Sequence, residues 1–87
     1  MAEIFLPRTL TELFPGAPRR MAVDAPSVGG VIDGLDAVYP GMRNRLLDAG
    51  PRIRRHLMIY VDEERAGLET PVGAGSEVRI IPAVSGG

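Results

Sequence analysis

Between Ser27 and Pro40-Gly41 lies the one segment of this 87-residue chain with a sustained helical period. Val28, Val31, Ile32, Leu35, Val38 and Tyr39 recur at helical spacing and form a single apolar stripe. Ser27 suits an N-cap, and Pro40-Gly41 stops the helix. Every other apolar run is short or alternates with period two. A lone amphipathic helix cannot bury its own stripe, so the rest of the chain must supply a sheet for it to lie on. Gly29, Gly30 and Gly34 each weaken this helix by roughly 1 kcal/mol relative to Ala. Packing must therefore hold it, and its small residues permit close approach to the sheet.

The strands can be read around that helix. Ala2 to Leu6 is a short apolar run closed by Pro7, with Ile4 and Leu6 on one face. Pro7 to Pro18 reads as a loop, in which Leu10, Leu13 and Phe14 can share one helical turn. Arg20 to Asp24 alternates, with Met21 and Val23 on one side. After the helix, Met42 to Leu47 forms a second short helical piece and Ala49-Gly50-Pro51 a break. His56 to Val61 is rich in β-branched and aromatic residues and reads as a strand. Asp62-Glu63-Glu64 is a turn, and Gly67 to Gly75 a loop with a short strand at Leu68–Thr70. Glu77 to Ile81 is the last strand, with Pro82 ending its pairing.

This order predicts an α+β domain over residues 1–82. The first two strands pair as a hairpin, and one main helix covers one face of a mixed sheet of four to five strands. Side-chain alternation then divides the strand residues. Ile4, Leu6, Leu57, Ile59, Val61, Val78 and Ile80 point at the helix. Phe5, Met58, Tyr60 and Ile81 point the other way, onto a face with no helix to cover it. If contiguous, those four form a surface for a partner.

Composition removes most enzyme chemistries. The chain has no Cys, hence no disulfide, no thiolate nucleophile and no sulfur-ligated zinc. It has one His, His56, so a multi-histidine metal site is excluded, and no metal site is expected. All 10 basic residues are Arg, which leaves no Lys amine for a Schiff base or as an isopeptide acceptor. Against 11 acidic residues they give a net charge of −1, unlike the basic excess of a nucleic-acid binder. No apolar run approaches the roughly 18 residues of a membrane span. The N-terminal residues lack the basic start of a signal peptide, so the expected address is cytoplasmic. Asp62-Glu63-Glu64 lacks the spacing of a Ca²⁺ loop, and Gly73-Ala74-Gly75 lacks the Lys-Ser/Thr of a phosphate loop. Arg52, Arg54 and Arg55 read as a solvated strand entrance, and His56 as a strand-end residue.

What remains is the C-terminal segment. A strong strand passes through Pro82-Ala83-Val84-Ser85 to Gly86-Gly87. Two glycines remove side-chain bulk, so the backbone can thread a narrow channel. From Ala83 an extended arm of residues 83–87 reaches about 16 Å, enough to enter a partner's active site while the body docks outside. A Gly-Gly end is also what a frayed terminus or an expression remnant looks like.

The segment Arg79-Ile80-Ile81-Pro82-Ala83-Val84-Ser85-Gly86-Gly87 on a β-β-α-β-β chain resembles the ThiS/MoaD family of ubiquitin-like sulfur carriers. Tyr39-Pro40-Gly41, Arg43-Asn44-Arg45-Leu46-Leu47 and Ile59-Tyr60-Val61-Asp62 resemble the actinobacterial CysO-type carriers of cysteine biosynthesis. The resemblance covers nearly the whole chain. It departs from the family at Ala74-Gly75-Ser76-Glu77, where an Asp-Gly-Asp-type turn is common. It departs again at Ile80-Ile81, where molybdopterin synthase small subunits often carry aromatic residues.

The resemblance implies a β-grasp fold, no catalysis by the chain itself, and no bound cofactor. It implies that a ThiF/MoeB-like adenylating enzyme uses ATP to activate the Gly87 carboxylate, and that sulfur then replaces AMP to leave a thiocarboxylate. A sulfur-acceptor synthase consumes that sulfur for cysteine or a related metabolite. Gly87 would carry the sulfur. Gly86, Ser85, Val84, Ala83 and Pro82 would thread the arm, and Phe5, Met58, Tyr60 and Ile81 would dock. Neither nucleic acid nor membrane is an expected partner. Three other readings stay open at this point: a molybdopterin synthase small subunit, a ubiquitin-like protein modifier, and a binding module whose tail is inert.

Overall fold

A computed structural model describes residues 1–83. Strand β1 (Ala2–Phe5) leads into a single helical turn, α1 (Arg8–Thr11), and returns as β2 (Arg20–Val23). The main helix α2 (Val28–Val38) follows, then a short helix α3 (Met42–Leu46) and a small hairpin of β3 (Leu47–Asp48) and β4 (Arg52–Ile53). The chain closes with β5 (Leu57–Val61), β6 (Glu64–Arg65) and β7 (Glu77–Pro82).

Five strands form one sheet in the order β2-β1-β7-β5-β6. β1 pairs antiparallel with β2 and parallel with β7, and β5 runs antiparallel to both β7 and β6. With α2 across one face, this is the mixed β-grasp sheet expected. Alternation works as anticipated. Ile4, Leu6, Leu57, Ile59, Val61, Val78 and Ile80 are all buried in one core with Val28, Val31, Ile32 and Leu35 of α2. Met42 and Leu46 of α3 close its end.

Helix α2 begins as the sequence suggests: the Ser27 hydroxyl accepts a hydrogen bond from the Gly30 N–H at 3.2 Å. Two further N–H groups of its first turn are met by a loop carbonyl each, Val28 N–H by Thr70 and Gly29 N–H by Leu68. Residues 68–70 are therefore not the expected strand. Their carbonyls are spent on the orphan donors of a helix start. The close approach anticipated for the helix glycines occurs at Gly34, where a Cβ would lie 2.8 Å from Val23 Cγ1 on β2. At the other end, the Asp36 carboxylate accepts from Gly41 N–H and Arg43 N–H, both at 3.0 Å. This clamp turns the chain from α2 into α3 through Gly41 at φ +99°.

Some expectations need correction. Val38 is 58% exposed, because the stripe continues from Leu35 to Tyr39 and leaves Val38 at its edge. Leu13 is 49% exposed, because α1 ends at Thr11; Leu10 is buried and Phe14 packs half-buried against the core. The β3–β4 hairpin and β6 are additional elements. β6 pairs with β5 across a tight turn with Asp62 and Glu63 at φ 49° and 73°. Pairing also does not stop at Pro82, which lies opposite Leu57, and the Ala83 N–H donates to the His56 carbonyl at 2.7 Å. In this strand the N–H groups of alternate residues face β5, as Ala83 does. The missing N–H of Pro82 falls on the β1 side, where pairing has ended at Arg79.

Candidate functional site

The last described residue, Ala83, is tied to the start of β5 by its N–H, which donates to the His56 carbonyl. Gly87, Gly86, Ser85 and Val84 lie outside the described residues. Pro82 and Ala83, expected in the threading arm, lie instead against the start of β5, Pro82 opposite Leu57 and Ala83 bonded to His56.

The four residues expected to dock share the face of the sheet opposite α2. Phe5 pairs with Arg79, Arg79 with Tyr60, and Met58 with Ile81. Phe5, Met58 and Tyr60 are half-buried and Ile81 is 37% exposed. They do not form an unbroken apolar patch, however. One row crosses all five strands as Arg20, Phe5, Arg79, Tyr60 and Arg65. The Arg79 guanidinium carbon lies 4.1 Å from the Phe5 ring centroid, and that of Arg20 lies 5.3 Å from it. Guanidinium groups over a ring face are attracted by its quadrupole, so this surface joins apolar and cationic character. Alternation applied to the charged residues as well as the apolar ones points to Arg20 and Arg79 from sequence.

The next row along the sheet is acidic. Arg20 pairs with Glu3 at 2.7 Å and Arg79 with Glu77 at 3.4 Å, both at the surface. The hydrogen bond from Arg20, and then its charge, hold the Glu3 carboxyl below the ordinary carboxylate range, although burial opposes this. The same hydrogen bond, and then the charge of Glu3, raise the affinity of Arg20 for its proton.

Two clefts flank the point where β7 ends, and both are lined by Thr9 and Pro82. The first, of about 470 Å³, runs from the open sheet face to α1 and carries Arg8, Arg19, Arg20 and Arg79. The second, of about 700 Å³, lies toward α3 and carries Arg45, Arg54 and His56 among Leu10, Leu13 and Leu57. No carboxylate of the described residues lines either cleft. The basic groups come from five separate segments, which is why the Arg52-Arg54-Arg55 cluster alone did not reveal them. Among the described residues there is no group of three or more acidic or His residues placed to hold a metal ion, and no helix long and apolar enough to cross a membrane.

Residues 12–87 match the ThiS family. The chain belongs to that family. The sulfur carrier protein CysO of Mycobacterium tuberculosis is 33% identical over 85 residues, which covers 91% of each chain. The crystal structure of Mycobacterium tuberculosis CysO superposes with a TM-score of 0.87 at 30% identity, covering 97% of this chain and 100% of that one. A chain of the Amycolatopsis orientalis BexX/CysO complex gives 0.86 at 26% identity, with full coverage of both. Small archaeal modifier protein 1 of Haloferax volcanii gives 0.76 at 29% identity, covering 99% of this chain and 98% of that one. ThiS-family membership and likeness to CysO agree with the resemblance read from residues 39–62 and 79–87.

Proposed function

We propose that this chain is a sulfur carrier whose cargo is held at Gly87. The observation that carries the reading is that the family match runs to residue 87 and so includes Gly86-Gly87. The relative named above as a sulfur carrier supports it. Once Gly87 stands at the end of the chain, a ThiF/MoeB-like adenylating enzyme would join its carboxylate to the α-phosphate of ATP and release pyrophosphate. A carboxylate resists nucleophiles, and the acyl adenylate supplies a good leaving group. Sulfide then displaces AMP and leaves a thiocarboxylate. A sulfur-acceptor synthase takes up that sulfur in making cysteine or a related metabolite.

In this scheme the carrier contributes position. β7 holds the root of the arm through the Ala83–His56 hydrogen bond. Residues 84–87 would thread the partner's channel, and Phe5, Met58, Tyr60 and Ile81 would dock the body outside it. Deleting Gly87 tests the reading. Sulfur transfer in a reconstituted reaction should stop while the unfolding midpoint stays unchanged. A chain without Gly87 that still transfers sulfur would overturn it.

A second reading is favoured by the likeness to small archaeal modifier protein 1. Here the activated Gly87 carboxylate would pass to an amine of another protein. A covalent adduct that survives thiol reductant and denaturant would support this reading.

A further inference from the structure

The charges of this chain are sorted along the strands. Where β7 ends, the two clefts together hold six arginines and His56 and no carboxylate of the described residues. Two of these arginines are neutralised by neighbours, Arg20 by Glu3 and Arg79 by Glu77. Among the described residues, Arg19 and Arg54 donate only to the backbone carbonyls of Leu6 and Asn44, which leaves their charge in place. Arg8 and Arg45 are exposed and form no ion pair among the described residues.

The opposite end of the sheet is acidic. Asp24 follows the last residue of β2, Asp62 and Glu63 form the turn from β5 to β6, and Glu64 opens β6. Glu3 and Glu77 lie opposite one another near the start of β1 and β7. A net charge of −1 therefore conceals a strong separation, with its positive pole around the root of the arm.

We propose that the protein which receives the arm presents a carboxylate-rich rim around its channel, and that Arg8 and Arg45, one in each cleft, steer the arm toward it. This rests on the carrier reading above. Opposed surface potentials raise the rate of diffusional encounter and orient the partners, with little need for tight final contacts. A polarised carrier suits a partner that must release it after each turnover. Apolar Leu10, Leu13, Leu57 and Ile81 beside the arginines fit a protein rim better than a phosphate backbone.

The test is the rate at which the full chain is charged by its cognate ThiF/MoeB-like adenylating enzyme with ATP and sulfide. It is followed by intact mass at low and high salt. Charge reversal of both residues, Arg8→Glu with Arg45→Glu, should slow charging at low salt by about tenfold or more. The gap to wild type should close as salt screens the pair, and the double Gln variant should fall between them. Both side chains are exposed, and a thermal melt of each variant checks that the fold is kept. Arg52→Glu, outside both clefts, should stay within about twofold of wild type. Equal rates for wild type and the double reversal at low salt would overturn the proposal, as would an equal loss per charge in Arg52→Glu. Binding of a short single-stranded RNA that is lost in the double reversal, with charging unaffected, would also overturn it. Wild type left uncharged at every salt concentration would overturn the carrier reading itself, and this proposal with it.

Discussion

Arg79 lies over Phe5, its guanidinium carbon 4.1 Å from the ring centroid, on strands that pair in parallel. The two residues cover each other on the face that α2 leaves open. A double-mutant cycle of Phe5→Leu and Arg79→Met should show a coupling of about 0.5–1 kcal/mol in urea unfolding, the size of an exposed cation–π pair. Additive effects would show that the contact contributes nothing to stability.

Gly34 of α2 faces Val23 of β2 at close range. An added Cβ would meet Val23 Cγ1 at 2.8 Å. Helix propensity alone predicts that Gly34→Ala stabilises by roughly 1 kcal/mol. The overlap with a buried, stiff side chain should reverse that sign and cost about 1–3 kcal/mol. The same substitution paired with Val23→Ala should recover part of the loss. Thermal and urea midpoints of both variants check it.

Glu3 gives the fold a small acid sensitivity. The hydrogen bond from Arg20 lowers its proton affinity in the folded chain. Stability from this pair is therefore present above the unfolded carboxyl's pKa and lost as pH falls through the folded value. Glu3→Gln should flatten the part of the acid slope due to this pair and leave the rest of the profile unchanged. Because the pair is solvent-exposed, added salt should shrink the difference. Urea midpoints from neutral to acid pH, at low and high salt, measure both effects.

Ile81 tests the docking face. It is 37% exposed, and Met58 lies opposite it. Ile81→Glu should change stability by no more than about 0.5 kcal/mol, as surface substitutions usually do. It should slow charging by the adenylating enzyme at least tenfold, the cost of about 1.4 kcal/mol at an interface centre. Charging at the wild-type rate in Ile81→Glu and Tyr60→Ser would remove these residues from the docking surface.

Long-period features were legible in the sequence. The stripe of Val28, Val31, Ile32 and Leu35 located α2, and alternation in β1, β5 and β7 assigned every core-facing residue named from it. Features without a period were not. β3, β4 and β6 have two residues each, too few to show alternation. The carbonyls of Leu68 and Thr70 serve a helix start that is distant in sequence. Proline's effect in β7 depended on which neighbour its missing N–H would face, and only the strand order determines that. The docking residues were legible by parity, as was the face that Arg79 shares with them, but its place between Phe5 and Tyr60 needed the register. The basic clefts gather arginines from both sides of the chain's midpoint, and no local pattern announces them.

The central claim is that Gly87 carries sulfur. Its most direct measurement is the intact mass of the full chain after incubation with ATP, the cognate adenylating enzyme and sulfide, followed by fragmentation of the C-terminal peptide. The expected result is a gain equal to one sulfur-for-oxygen exchange, located at Gly87 and dependent on ATP. An unchanged mass, from an enzyme shown to form the adenylate on this chain, would contradict it.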